Sequence, residues 1–316
     1  MAKTHSVVAA EYRRTFSRLY PVVAHIEPGD VVVTKTVCTD GRDESGERIT
    51  ERGNPLTGPF HVEGAEAGDS ISVRLSKIRC NRDWGFSSFR LGLVSLTPEH
   101  VEKVYPNEYI EGLVRDGVSS ILPWDIDRER LTARPRRLPS ESKGQEFAIR
   151  PMIGCIGVAP AGDFAPTSGP SGAYGGNIDY NEICEGATVH LPVYQPGALL
   201  YVGDGHALQG DGEPLGTGIE TSMDVEFSVE LHKGKALTGV RVENATHIIS
   251  VGSQPEFSSS MNRGLQMATS DMVHWLVDDY GMEEWAAHML IGMVGRYDVV
   301  TVHGSMALRI PRSNLP

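Results

Sequence analysis

Apolar and polar residues alternate along several short stretches in the first three quarters of the chain. Ile71, Val73 and Leu75 alternate with polar residues, and this period of two predicts a half-buried strand. Residues 224–231 repeat the alternation, and the β-branched run 31–37 predicts a further strand that begins at a turn. Short antiparallel strands with one solvent-facing side are therefore expected.

The period changes near the C-terminus. Residues 262–280 and 282–295 carry apolar side chains at helical spacing, and Gly281 stands where the first helix is expected to end. Residues 299–310 then predict a closing strand. Together these elements predict a mainly β fold, with a β-sandwich-like core of short antiparallel strands, a smaller α+β part and a C-terminal helical pair.

The same pattern predicts how the chain is divided. Residues 1–80 and 150–235 are expected to form the β-sandwich-like core that carries the functional site, and residues 236–316 the α+β C-terminal part. Residues 82–150 contain a candidate short helix near 98–104 and a charged stretch interrupted by prolines. This segment is expected to be an insertion or excursion on the β core.

Composition excludes several classes of partner. The formal charge of −12 over 316 residues argues against nucleic acid and anionic membranes, because binding to either favours a basic surface. No segment approaches the roughly 18 consecutive apolar residues of a membrane span. The 4 cysteines are widely separated, without a CxxC pair, so a reduced, cytoplasmic protein is expected.

The densest group of polar residues follows the apolar run 198–202. Residues 203–213 contain four glycines, two aspartates, a histidine and a glutamate, and Glu220 follows shortly after. An apolar run that leads into a glycine-rich acidic loop is typical of a buried strand that delivers polar groups to a site. If the strand continues, Asp204 and His206 lie on the same face.

These residue types indicate metal chemistry. A carboxylate and an imidazole at one strand end form half of a divalent metal site, for which Glu220 and Asp179 are candidate third and fourth ligands. Spacing alone leaves a structural alternative open, because Asp-x-His and Asp-Gly-Glu segments also form turns that are satisfied by local hydrogen bonds.

Motifs for several other chemistries do not occur. The sequence has no Gly-x-Ser-x-Gly nucleophile elbow and no phosphate-binding loop that ends in Gly-Lys-Ser or Gly-Lys-Thr. Residues 175–177, Gly-Gly-Asn, offer either a backbone nest for an oxyanion or a type I′ turn. Cys155 and Cys184 lie in or near apolar runs, where inert buried thiols are expected.

A set of short stretches, spread over about three quarters of the chain, resembles the acetamidase/formamidase family of small-amide hydrolases. The stretches occur in the order found in that family. They are residues 54–55, 57–59, 62–66, 156–160, 175–177 with Asp179, 191–193, 203–204, 206–207, 209–213 and 218–220. The segment 82–150 matches no part of that pattern, and His61 stands where the family leads us to expect an apolar or aromatic residue.

The resemblance implies a β-sandwich-type fold with an α+β part and a bound divalent metal. It also implies hydrolysis of formamide, acetamide or a similar short amide to the acid and ammonia. On this hypothesis Asp204, His206, Glu220 and Asp179 hold the ion, with zinc expected first and calcium as the alternative.

Acid–base and binding roles follow from the same hypothesis. Glu213 is expected to act as general base and acid, with Asp211 as the competing candidate, and Asn177 to hold the oxyanion. The expected substrate-binding residues are Thr57, Glu63 and Gly176.

Two other functions stay open at this stage. One is hydrolysis of a cyclic amide or lactam, and the other is a non-catalytic β-sandwich that binds a small molecule or a metal. In either enzyme hypothesis the partner is a small amide substrate, with no nucleic acid and no membrane. Apolar helical faces near the C-terminus favour a homodimer or a higher homo-oligomer.

Overall fold

The computed structural model describes residues 2–88, 91–104, 121–136, 145–253 and 260–316. These residues form a mainly β protein with large antiparallel sheets and a C-terminal helical pair, which confirms the predicted fold class. The helices are α1 (Pro98–Val104), α2 (Met261–Asp278) and α3 (Glu284–Val294), and none of them is long and apolar enough to span a bilayer.

The first sheet has nine strands and gathers residues from both ends of the chain. All neighbouring strands are antiparallel except the first pair. In spatial order the strands are β1 (Thr4–Val7), β3 (Val31–Thr36), β16 (Met223–His232), β5 (Ser70–Cys80), β13 (Thr188–Pro192), β17 (Val240–Glu243), β18 (His247–Gly252), β20 (Ser305–Pro311) and β19 (Arg296–Thr301).

The second sheet has eleven strands and carries the glycine-rich acidic stretch. Its main path is β11 (Ser171–Gly172), β12 (Gly175–Asn177), β10 (Met152–Val158), β14 (Leu200–His206), β15 (Glu220–Thr221), β6 (Trp84–Ser88), β7 (Ile121–Asp127), β8 (Thr132–Pro135) and β9 (Phe147–Ala148). Two further strands lie off this path, where β4 (Leu56–Val62) pairs with β14 and with the short β2 (Ala24–Ile26).

The core lies between the two sheets. Phe60 of β4 and Phe227 of β16 are both fully buried, and their ring centroids lie 5.4 Å apart in an edge-to-face contact. Alternation explains the inner face: along β16 the apolar residues are buried and the polar ones between them are partly exposed. Burial of such large side chains supplies the main stabilisation of the sandwich.

The two C-terminal helices cover the first sheet. Met272, Trp275 and Leu276 of α2 are buried against Ile248 and Ile310 of the neighbouring strands. Helix α3 leaves apolar side chains exposed, Trp285 at 65% and Met293 at 77%. Self-association through this face stays a prediction.

One predicted element is wrong. Residues 299–310 form two antiparallel strands, β19 and β20, joined by a tight turn in which Gly304 has a φ of 113°. Only a His-Gly pair separates the two apolar runs in the sequence, so the hairpin could be read as one strand.

The segment 82–150 contributes strands β6 to β9 at one edge of the second sheet, and the expected helix is α1. Residues 105–120 and 137–144 of that segment lie outside the described residues. Strands β17 to β20 extend the same sheet as β1, β3 and β5, and the proposed division of the chain stays a prediction.

Candidate active site

Strand β14 delivers the first two candidate ligands. The whole strand is buried between β10 and its neighbours β4 and β15, and Asp204 and His206 lie at its C-terminal end. Glu220 opens β15 in direct register with His206. The ladder between β10 and β14 pairs Cys155 with Gly203 and skips Asp204, so the strand is irregular at that residue.

Asp179 reaches the same place from β12. The backbone N–H groups of Ile178 and Asp179 both donate to the carbonyl of Gly154, at 2.9 and 3.1 Å. A Cβ atom on Gly154 would lie 2.4 Å from Oδ1 of Asp179 and 2.8 Å from Oδ2 of Asp204. Glycine at position 154 therefore lets two carboxylates meet above one strand.

These side chains form one compact and buried group, which we call the buried cluster: Asp179, Asp204, His206, Glu213 and Glu220. Four of its members are at most 2% exposed, and Glu213 is 9% exposed. The His206 Nε2 atom lies 3.0 Å from Glu220 Oε1 and 3.5 Å from Asp204 Oδ1. One ligand atom from each of Asp179, Asp204 and His206 falls within 4.8 Å of the others, and the same holds for His206, Glu213 and Glu220.

Several buried polar atoms of this cluster have no hydrogen-bond partner. Buried polar atoms nearly always have a hydrogen-bond partner, so several unpaired atoms that face one another indicate a ligand-binding position. They are Asp179 Oδ1, Asp204 Oδ1, His206 Nε2 and Glu220 Oε2.

Gln209 sets the orientation of the imidazole. Its Nε2 donates to the backbone carbonyl of Asp179 at 2.6 Å, which fixes the amide so that Oε1 faces His206. The His206 Nδ1–H then donates to that oxygen at 2.7 Å. Because Nδ1 carries a hydrogen, Nε2 is the ring nitrogen that faces the carboxylates, as a metal-binding histidine requires.

An amide pair holds the aspartates. Asn177 donates its Nδ2–H to Asp179 Oδ2, while its Oδ1 accepts from Asn54 Nδ2 at 3.0 Å and from the Cys155 thiol at 2.7 Å. Asn54 Nδ2 also donates to Asp204 Oδ2 at 3.2 Å. One oxygen of each aspartate is thereby fixed, and the other is left for a ligand.

The backbone is strained at this site. Asn54, Asp179, Asp204 and Glu213 have φ angles of 49°, 49°, 57° and 48°, in the left-handed region that non-glycine residues rarely adopt. Such conformations cost of order 1–3 kcal/mol each and concentrate at functional sites. The irregularity of β14 at Asp204 is one instance.

Charge is poorly balanced inside the cluster. Four carboxylates surround one imidazole, and across the described part of the chain no lysine or arginine forms an ion pair with any of them. Burial raises the pKa of Glu220 to about 8, with His206 opposing and Asp204 adding to the shift, and burial likewise raises the pKa of Glu213 to about 7. Burial, then Glu213 and Asp204, raise the pKa of Asp179 well above its usual value.

The donor set fits a divalent cation. An ion placed between the unpaired atoms of the buried cluster would bind them and neutralise buried charge, which otherwise carries a large desolvation cost. His206, Asp204, Asp179 and Glu220 are the groups that would hold it.

Comparisons with known proteins agree with the motif pattern. The sequence model of the acetamidase/formamidase family matches residues 12–168 and 163–276. The chain belongs to the acetamidase/formamidase family.

Individual members of the acetamidase/formamidase family are distant in sequence and similar in structure. An acetamidase from Mycolicibacterium smegmatis is 28% identical over 224 residues, covering 57% of this chain and 53% of that protein. A formamidase from Methylophilus methylotrophus is 27% identical over 255 residues, covering 67% and 62%. The chain thus spans little more than half the length of these relatives.

A solved structure covers more of the fold. The crystal structure of an acetamidase from Yersinia enterocolitica superposes with a TM-score of 0.80 at 26% identity. The alignment covers 99% of this chain and 93% of that one.

The structure brings together most, but not all, of the residues predicted for an acetamidase/formamidase site. Asn177 contacts the buried cluster by donating to Asp179. Asp211 is exposed and accepts from Asn181 Nδ2 at 2.7 Å, and the buried Thr57 hydroxyl donates to the Lys35 carbonyl at 3.0 Å. Gly176, beside Asn177, has a φ of 96°. Glu63 lies apart from the cluster, at the surface.

Three residues that contact the buried cluster were not predicted as site residues. They are Asn54, Cys155 and Gln209. Gln209 lies only three positions after His206 and inside the family-matching stretch 209–213, and these were the signals available for it. Burial raises the pKa of the Cys155 thiol well above its usual value, which agrees with an inert thiol.

Proposed function

We propose that this protein hydrolyses a short linear amide, such as formamide or acetamide, to the carboxylic acid and ammonia with the help of a divalent metal. The observation that carries the proposal is the set of potential metal-ligand atoms in the buried cluster that have no hydrogen-bond partner. Family membership supports the reaction class, and the enclosed cluster suits a small substrate.

Zinc is the ion that this donor set favours. His206 supplies an imidazole nitrogen together with carboxylate oxygens, a mixture usual for zinc, whereas calcium takes oxygen ligands alone. When bound, such an ion supplies a Lewis acid for the amide carbonyl and lowers the pKa of water. The chain fixes the ligands in advance through Gln209, Asn177 and Asn54.

Glu213 is our candidate for proton transfer. It lies in the cluster, and its pKa of about 7 suits a group that takes a proton from water and returns it to the leaving nitrogen near neutral pH. Asp211 is less suited, because it is exposed and hydrogen-bonded to Asn181.

Asn177 has a positioning role in this proposal. One hydrogen of its amide is donated to Asp179. The second hydrogen is the group that would serve a developing oxyanion, a role that is worth about 10²–10³-fold in rate for a single donor in other enzymes.

The location of the protein is a separate part of the proposal. All 4 cysteines are free thiols, which supports a cytoplasmic location.

The test combines elemental analysis with ammonia release from a panel of linear amides and lactams. We expect bound zinc and ammonia from at least one short linear amide. His206→Ala should lose activity together with the metal of the buried cluster, while the control His288→Ala, at an exposed side chain, keeps both.

Three outcomes would contradict parts of the proposal. Full activity in His206→Ala would refute the site assignment. A folded, metal-free protein that releases no ammonia from any amide would refute the enzyme. Turnover of lactams alone would favour the cyclic-amide alternative.

A further inference from the structure

A second group of metal-ligand side chains lies where β2 pairs with β4. His25 and His61 are register partners in these parallel strands. Glu63 follows two positions after His61, and its backbone N–H donates to the Ile26 carbonyl at 2.9 Å, which keeps it beside β2. We call His25, His61 and Glu63 the surface trio.

The distances in the surface trio suit a small cation. The His25 Nδ1 atom lies 2.7 Å from Glu63 Oε1, and His61 Nδ1 lies 3.5 Å from the same oxygen. Adjacent ligands of a tetrahedral zinc ion, at bond lengths of about 2.0–2.1 Å, are about 3.3 Å apart. The two observed distances bracket that value, and all three ligand atoms lie within 4.8 Å of one another.

His61 is held with one nitrogen available for a ligand. A Cβ on Gly197 would lie 2.1 Å from the Cδ2 atom and 2.4 Å from the Nε2 atom of His61, so this edge of the ring is packed against backbone. The opposite edge carries Nδ1, which is buried and has no hydrogen-bond partner. A buried nitrogen without a partner, facing a carboxylate and a second imidazole, is a prepared ligand position.

The surface trio is separate from the buried cluster. Leu56, at one end of β4, pairs with Gly203 beside Asp204. His61 lies five residues farther along the strand, roughly 16 Å away at the rise of a β-strand. His25 is 63% and Glu63 39% exposed, so an ion and its water ligands can reach this site from solvent.

We propose that His25, His61 and Glu63 bind a divalent transition-metal ion, with Zn²⁺ as the expected occupant. Two imidazoles and one carboxylate are ligands that zinc accepts, and water would complete the coordination on the exposed side. The ion would join the three-residue strand β2 to β4 and stabilise that edge of the sheet, because it binds the folded arrangement only. This site does not depend on the proposed amidase activity.

Zinc titration by calorimetry tests the proposal, using the full-length protein and its His206→Ala variant. We expect one binding event that persists in His206→Ala. His25→Ala and His61→Ala should each weaken that event by at least about tenfold, since losing a ligand costs no less than losing an outer-sphere partner. His288→Ala is the matched control, because this histidine is exposed and its Nε2 atom lies 3.8 Å from Oε1 of Glu284, outside both groups.

Copper gives an independent readout. With Cu²⁺ in the His206→Ala background, electron paramagnetic resonance should show coupling to two imidazole nitrogens, reduced to one in the further variant His25→Ala. In the His206→Ala background, equal zinc affinity with and without His25→Ala or His61→Ala would overturn the proposal. His25→Ala guards against a folding artefact, because this side chain is mostly exposed and its removal leaves the core unchanged.

Discussion

The buried cluster and the surface trio use the same chemical groups in opposite settings. Each combines imidazole nitrogens with carboxylate oxygens. The cluster around His206 excludes water almost completely, whereas His25 and Glu63 of the trio are open to solvent. The contrast separates what a metal site needs for binding from what it needs for catalysis.

The backbone marks the difference most clearly. His25 and His61 are direct partners in the β2–β4 pairing, which has no register shift, while Asp179, Asp204 and Glu213 all adopt left-handed backbone conformations. Regular strands suffice to place two ligands side by side. Backbone strain at three positions of one site indicates a side-chain arrangement that a regular strand cannot provide. Such an arrangement is expected of groups that must face a substrate as well as an ion.

The supporting contacts differ in the same sense. His206 has its second nitrogen fixed by Gln209, which is itself anchored to the backbone. In the trio, the ring of His61 is packed against Gly197, and its Nδ1 has no hydrogen-bond partner. We therefore expect tighter and more selective binding at the buried cluster.

Glu213→Gln gives the largest expected effect that leaves the metal in place. Removing the acid–base group should lower turnover of a short amide by about 10²–10⁴-fold. Zinc content should stay unchanged, because His206, Asp204, Asp179 and Glu220 remain. Steady-state ammonia release and elemental analysis measure the two quantities.

Asp211→Asn is the matched control for that variant. Asp211 is the other acidic residue of the same loop, exposed and bound to Asn181. Its variant should keep turnover within about twofold, as is usual for exposed positions outside a site. A large loss in Asp211→Asn together with an active Glu213→Gln would reverse the assignment and show that the loop moves.

Sequence periodicity was sufficient for the fold class, and residue types selected the members of the buried cluster, whose metal-binding and catalytic roles stay predictions. Asp204 and His206 follow a buried apolar run, and Asp179 and Glu220 were identified by residue type, one well before and one well after that run. The choice between Asp211 and Glu213 was not available from spacing. It depends on a distant contact, because the carbonyl of Gly212 accepts from Val302 N–H at 2.8 Å and fixes the turn at Glu213.

The supporting residues were hidden for a related reason. Asn54 reaches Asp204 across 150 positions, and neither residue has a periodic signal. His25 and His61 pair through parallel strands 36 positions apart, a register that no local pattern specifies. Long-range hydrogen bonds and strand register therefore account for most of what the sequence left undetermined.

Gln209→Leu tests whether the fixed imidazole distinguishes the two sites. Loss of the acceptor for His206 Nδ1–H should weaken zinc binding at the buried cluster by about 10–100-fold. Zinc binding at the surface trio should not change. Titration of Gln209→Leu, alone and combined with His25→Ala, separates the two events.

Gln195→Leu is the control for that substitution. Gln195 also donates to backbone carbonyls, those of Pro160 and Gly162, but does not touch the cluster. Equal weakening of zinc binding in both variants would mean that Gln209 acts on general stability rather than on the imidazole.

The pH dependence of stability gives the smallest expected effect, in protein stripped of metal by a chelator. Glu213 and Glu220 keep their protons in the folded state up to pKa values of about 7 and 8, whereas their usual value is 4.5. Between these values the folded state binds more protons than the unfolded state. Stability must therefore fall as pH rises from about 4.5 to about 8.

Thermal unfolding of metal-stripped protein should be measured between about pH 5 and pH 8, which roughly covers this range. The melting temperature should fall by a few degrees as the pH rises. Glu220→Gln should flatten the slope, because one of the titrating groups is gone, and zinc should flatten it as well by binding the carboxylates as anions. His25→Ala should leave the slope as in wild type. An identical slope in Glu220→Gln and wild type would mean that the buried carboxylates do not hold protons, and that the two sites differ less in their electrostatics than their burial indicates.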